Sequence, residues 1–164
     1  MTKYERLMYE AECHGAKVIE IDLGTDKPCG KCVDNIIVIN SNINTKEKTC
    51  ILAEELGHYI KNLGDITDQT EICNKKQELV ARRWGFDKAV GLVGLINAFE
   101  NNCRNAFEIA DFLGVTKEYF DEAIDYYRAK YGVMYKIDNY IIYFIPSLGI
   151  CKMFYPVDFQ LFIL

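Results

Sequence analysis

The run Cys50-Ile51-Leu52-Ala53-Glu54-Glu55-Leu56-Gly57-His58-Tyr59-Ile60 constrains the fold of this chain more than any other stretch. It reads as helix, and on a helix the residues at i and i+4 lie on one face. Glu54 and His58 hold those two positions, so both side chains can reach a single metal ion, and Glu55 at i+1 stands beside them. The spacing is that of the zinc-binding helix pattern H-E-x-x-H, with glutamate where the first histidine would be. A helix that offers two ligands needs a third from elsewhere, with one position left open to water. Any fold that uses this pattern must therefore bring a second element against the same face.

The best source of the third ligand is Glu78, in Lys76-Gln77-Glu78-Leu79-Val80-Ala81-Arg82-Arg83-Trp84-Gly85. On a helix Ala81 and Gly85 share the face of Glu78, and both are small enough to let the two helices approach closely. Asp65, Asp68 and Glu71 are weaker candidates because they fall in the connecting loop. The expected site is then Glu54, His58 and Glu78 as metal ligands, with Glu55 placed to take a proton from water. Spacing alone leaves a second reading open, because paired glutamates on an amphipathic helix also make an ordinary solvated face.

Apolar spacing at Tyr4, Leu7, Met8 and Ala11 predicts a helix over residues 3–14 that stops at Gly15. Strands are expected at 18–23 and 32–40, separated by a glycine- and proline-containing loop. Asn44 or Thr45 can cap the motif helix, which runs to about residue 62, with Glu47 favourable in its first turn. Further helices are expected at 73–88, 91–101, 105–113 and 116–131, the last two joined at Gly114-Val115. The chain then changes character: residues 133–137 and 140–144 form a hairpin turned at Asp138-Asn139, and 150–155 supply a third strand. The expected class is α+β, with a mostly helical core over 1–102 and a small sheet beside the motif helix. Residues 103–164 add a helical pair and the β-hairpin. The apolar end, 156–164, receives no role.

A length of 164 residues suits one domain, or a compact domain with an appendage. The net charge of −5 argues against a nonspecific hold on nucleic-acid phosphates. Residues 107–120 have the outline of a helix-turn-helix. Its second helix, however, carries Glu118, Asp121, Glu122 and Asp125 against Lys117, Arg128 and Lys130, which disfavours DNA. No apolar window is long enough to span a membrane, and the first ten residues lack the apolar core of a signal peptide. Seven scattered cysteines in such a chain point to reduced thiols in a cytoplasm. Cys29-Gly-Lys-Cys32 has metal or redox spacing, yet it lacks the second pair that a structural zinc site needs. Tyr119, Phe120, Tyr126, Tyr127 and Tyr131 belong mainly to a core, and a stripe of them left exposed would suit a protein partner.

Three segments in order, residues 34–40, the motif helix, and Gln77-Glu78-x-x-Ala81-Arg82-Arg83-Trp84, resemble the ImmA/IrrE metallo-endopeptidases of bacteria and their mobile elements. The resemblance covers residues 1 to about 131. It implies a zincin-like core with a sheet edge beside the motif helix, His58 and Glu78 as ligands, and Glu55 as catalytic base. Glu54 falls on the first histidine ligand, and there this chain departs. A carboxylate oxygen binds zinc at a distance similar to an imidazole nitrogen. Two carboxylates and a neutral histidine cancel the charge of a divalent ion, however, where two histidines and one glutamate leave it net positive. Bound water is then acidified less, so weaker activity at neutral pH is expected, and manganese becomes competitive with zinc. The family implies limited cleavage of a helix-turn-helix repressor, which derepresses phage or mobile-element genes. The alternative is a non-catalytic antirepressor that binds the repressor through a degenerate metal site. In the enzyme reading an extended peptide adds at a sheet edge near 33–40, and His14 or Tyr59 stabilises the transition state.

Overall fold

The computed structural model describes residues 1–24, 29–62 and 71–154. Among these the chain forms six helices and two three-stranded sheets, the α+β class expected. It divides into two compact units, Met1–Ala123 and Ile124–Leu164.

The first unit opens with α1 (Lys3–Cys13), whose start is a capping box. The Thr2 hydroxyl accepts from the Glu5 N–H, and the Glu5 carboxylate accepts from the Thr2 N–H. Next come β1 (Lys17–Ile21), β2 (Gly30–Val33) and β3 (Ile36–Asn40). Their order is β1-β3-β2, with β1 parallel and β2 antiparallel to β3. One strand was expected over 32–40, and the structure divides it into a hairpin. Asp34 takes φ +54° at the turn, a conformation open to Asp and Asn beyond most other residues, and Asn35 follows it. The division moves the sheet edge. β3 is the central strand, with Ile37 and Ile39 fully buried on one face, so no peptide can pair with it. The edges are β1 and β2, which corrects the expected peptide-binding edge near 33–40.

The motif helix, α2 (Thr45–Asn62), is capped by Asn44. Its side-chain oxygen accepts from the Glu47 N–H, and Glu47 accepts from the Asn44 N–H. Leu52, Ala53, Leu56 and Tyr59 form the buried stripe, spaced as an amphipathic helix requires. Burying each leucine contributes about 1.5–3 kcal/mol, enough to tolerate half-buried carboxylates on the flank of the same helix. Three helices follow: α3 (Glu71–Ala89), α4 (Leu92–Glu100) and α5 (Ala106–Leu113). Asn105 caps the start of α5, and Gly114, at φ +70°, closes its end. The last helix, α6 (Lys117–Tyr131), begins in the first unit and ends in the second. No helix among the described residues is long and apolar enough to cross a membrane.

In the second unit β4 (Met134–Ile137), β5 (Tyr140–Tyr143) and β6 (Gly149–Lys152) form an antiparallel sheet in sequence order. Tyr127, Ile142 and Phe144 are fully buried, and the Tyr131 ring stacks on Phe144 at 6.0 Å. The hairpin and the third strand appear where the sequence placed them. The end at 156–164 lies outside the described residues.

Candidate functional site

Small residues determine how closely α2 and α3 approach. A Cβ added to Gly57 would stand 2.4 Å from the Ala81 carbonyl oxygen, and one on Gly85 would stand 3.1 Å from the Ala53 carbonyl oxygen. The helices therefore meet backbone to backbone at 57/81 and 53/85, a pairing that makes them antiparallel. Two polar rungs flank these contacts. His58 Nε2 lies 3.1 Å from Glu78 Oε2, and Glu54 Oε1 lies 3.2 Å from Arg82 Nε. Each rung is separated from the other by four residues on both helices, so both stand on the facing surfaces.

The structure thus sets His58 beside Glu78 and engages Glu54 with a different partner. Arg82 also donates through Nη2 to Glu122 in α6, so one guanidinium bridges two carboxylates. The Arg82 Nε is itself buried and meets Glu54 as a charge contact without hydrogen-bond alignment. Burial pushes the Glu54 carboxyl above the usual carboxylate range. Arg82 opposes that push, and the carboxylates of Glu78, Glu122 and Glu55 add to it.

Glu55 sits where β2 meets α2. A Cβ on Gly30 would fall 2.3 Å from Ile51 Cγ2 and 3.4 Å from Glu55 Cγ, so the absence of a side chain lets the strand close on the helix. The backbone N–H of Cys32 then donates to the Glu55 carboxylate. Burial pushes the Glu55 carboxyl up, His58 and this N–H oppose the push, and Glu78 reinforces it. Residues 30 and 32 point their backbone groups away from β3, because the Asn40 N–H bonds the Cys29 carbonyl and such pairs recur at every second residue.

His58 and Glu78 fit a divalent ion: an imidazole nitrogen and a carboxylate oxygen are apposed, with the Glu78 side chain 62% exposed and free to adjust. Glu54 as arranged does not fit, since its carboxylate faces the Arg82 guanidinium rather than His58 and Glu78. Among the described residues no group of three His, Cys, Asp or Glu side chains stands together as a ligand set. Asp65, Asp68 and the side chain of Glu71 lie outside the described residues. Tyr59 donates its hydroxyl to the His14 carbonyl, and His14 Nδ1 lies 2.9 Å from the Glu10 carbonyl oxygen. Both residues proposed for the transition state are thus engaged where α1 meets α2. Cys29 and Cys32 are free thiols.

Arg82 is the residue that reading the sequence missed. Once His58 faces Glu78 on antiparallel helices, position 54 must face position 82, and the sequence could have yielded that pairing.

The family model described as the IrrE N-terminal-like domain, peptidase M78, matches residues 11–125, which take in both helices of the site. No curated protein and no solved structure matches the chain. Membership of a metallopeptidase family implies a metal cofactor. On a match that spans well over half its length, the chain belongs to the IrrE N-terminal-like (ImmA/IrrE) peptidase M78 family.

Proposed function

We propose that the chain is a metal-dependent endopeptidase that makes a limited cut in a helix-turn-helix repressor and so derepresses phage or mobile-element genes in the cytoplasm. The observation that carries this reading is the approach of His58 to Glu78 across α2 and α3. Those two residues would hold zinc, or manganese in competition with it, and Glu54 would complete the set on leaving Arg82. Once bound, the ion supplies Lewis-acid polarisation of the scissile carbonyl and acidification of a water. Glu55, aimed by the Cys32 N–H, takes a proton from the attacking water and delivers it to the leaving amine. An extended substrate would pair at β2, the sheet edge that lies against α2.

The hold of Arg82 on Glu54 favours a second reading, a protein-binding antirepressor that does not cut. Incubating the purified chain and zinc with a candidate helix-turn-helix repressor separates the two. The enzyme reading expects a single cleavage site by mass spectrometry, lost in Glu55→Gln with repressor binding retained. Full derepression by Glu55→Gln would establish the binding module instead.

A further inference from the structure

We propose that Arg82 gates the metal site by competing with the ion for Glu54. The inference rests on the His58/Glu78 site proposed above and concerns what controls its loading. A guanidinium is cationic at every accessible pH and forks between two carboxylates, so it contests the same oxygen atoms that a divalent ion needs. Here the fork spans Glu54 on α2 and Glu122 on α6. Giving up Glu54 would not strand the charge. Arg82 keeps Glu122, its guanidinium carbon lies 5.9 Å from the Phe86 ring centroid, and it lines a pocket of about 320 Å³ with Glu118 and Glu122. Two arrangements therefore exchange a single carboxylate. In one, Glu54–Arg82–Glu122 ties α2, α3 and α6 together. In the other, Glu54 would serve with His58 and Glu78 as a ligand while Arg82 kept Glu122. A neutral histidine at position 54 would offer the guanidinium no charge to hold. The glutamate at 54 and the arginine facing it thus form one device, which weakens the hold on an ion and so raises the metal concentration at which the site loads.

The test is zinc affinity, measured by competition with a chromophoric chelator on the full chain. The variants are Arg82→Met, Glu54→Gln and the double mutant, with His58→Ala as the site control. The gate predicts that Arg82→Met tightens zinc binding about tenfold or more, the scale on which residues bonded to ligands tune metal affinity. It also predicts that this gain vanishes in the Glu54→Gln background. Equal affinity in the parent and Arg82→Met, with binding still lost in His58→Ala, would overturn the gate and leave the site standing. A gain that survives in the Glu54→Gln background would also overturn it, because Arg82 would then act only as a nearby positive charge. Zinc binding indifferent to His58→Ala would remove the site and the gate together. Should Arg82→Met fail to fold, Glu54→His leaves Arg82 in place and is expected to bind zinc more tightly than the parent. No tightening there would likewise refute the gate.

Discussion

Gly57→Ala tests whether α2 and α3 really meet at their backbones. The new methyl would start 2.4 Å from the Ala81 carbonyl oxygen, 3.0 Å from its carbonyl carbon and 3.2 Å from its Cα. An ordinary carbon–oxygen contact needs about 3.3 Å, so the helices must part by roughly 1 Å. Ala81 cannot yield as a flexible side chain would, because the obstructing atoms belong to the backbone of α3. Overpacking of this kind costs about 1–3 kcal/mol. Replacing a helical glycine by alanine returns about 1 kcal/mol through propensity. The net expectation is a loss of about 1 kcal/mol, equivalent to a Tm lower by roughly 2–4 °C for a chain of this size. Equilibrium urea unfolding, followed by the fluorescence of Trp84 on α3, measures it directly. The sign decides the matter: stabilisation by about 1 kcal/mol is what propensity alone predicts, and it would refute the backbone contact. Because His58 is the next residue, the same variant is expected to bind zinc more weakly.

Other consequences can be checked on the same protein. Asn44→Ala removes the cap of α2 and is expected to cost about 1 kcal/mol in urea unfolding; an unchanged midpoint would show that the cap is idle. Lys48 and Tyr4 hold the Glu20 carboxyl below its usual range, so its stabilisation is complete above the unfolded-state pKa and is lost as pH falls through the folded-state value. Glu20→Gln is therefore expected to be less stable at neutral pH by about 1 kcal/mol or less, given the partial exposure of the pair, with the difference vanishing in strong acid. A difference that grows in acid would reverse the argument. Burial pushes the Cys50 thiol up to about 11. Brief alkylation of the native protein at neutral pH should therefore modify the exposed Cys13, Cys29 and Cys151 and spare Cys50. Labelling of Cys50 at the same rate would show that it is not buried.

Local chemistry made most of the elements legible. Gly114 ends α5 and the Asp138-Asn139 turn joins β4 to β5 where composition placed them. The strand at 32–40 misled because its apolar run continues up to a turn that depends on Asp34 adopting a positive φ, and only pairing with a neighbour reveals such a turn. The site was legible in proportion to how much of it lies on one helix. Glu54, Glu55 and His58 follow from spacing, and Ala81 and Gly85 announced a close approach. The partner of Glu54 follows only once His58 is set against Glu78 on antiparallel helices, because that alignment puts position 82 opposite position 54. Gly57 and Gly30 drew no reading from the sequence, because what each allows near is set by packing: the backbone of Ala81 for one, Ile51 and Glu55 for the other. Nothing in composition could have shown that the Cys32 amide would meet Glu55, since that contact depends on β2 being an edge strand.

The most direct test of the account is metal content by plasma mass spectrometry, on untagged protein reconstituted with zinc or manganese and cleared of excess ion, beside Glu78→Ala and His58→Ala. The expected result is one ion per chain, lost in both variants. An ion retained without Glu78, or no bound ion at any loading, would contradict a metal centre built where α2 faces α3.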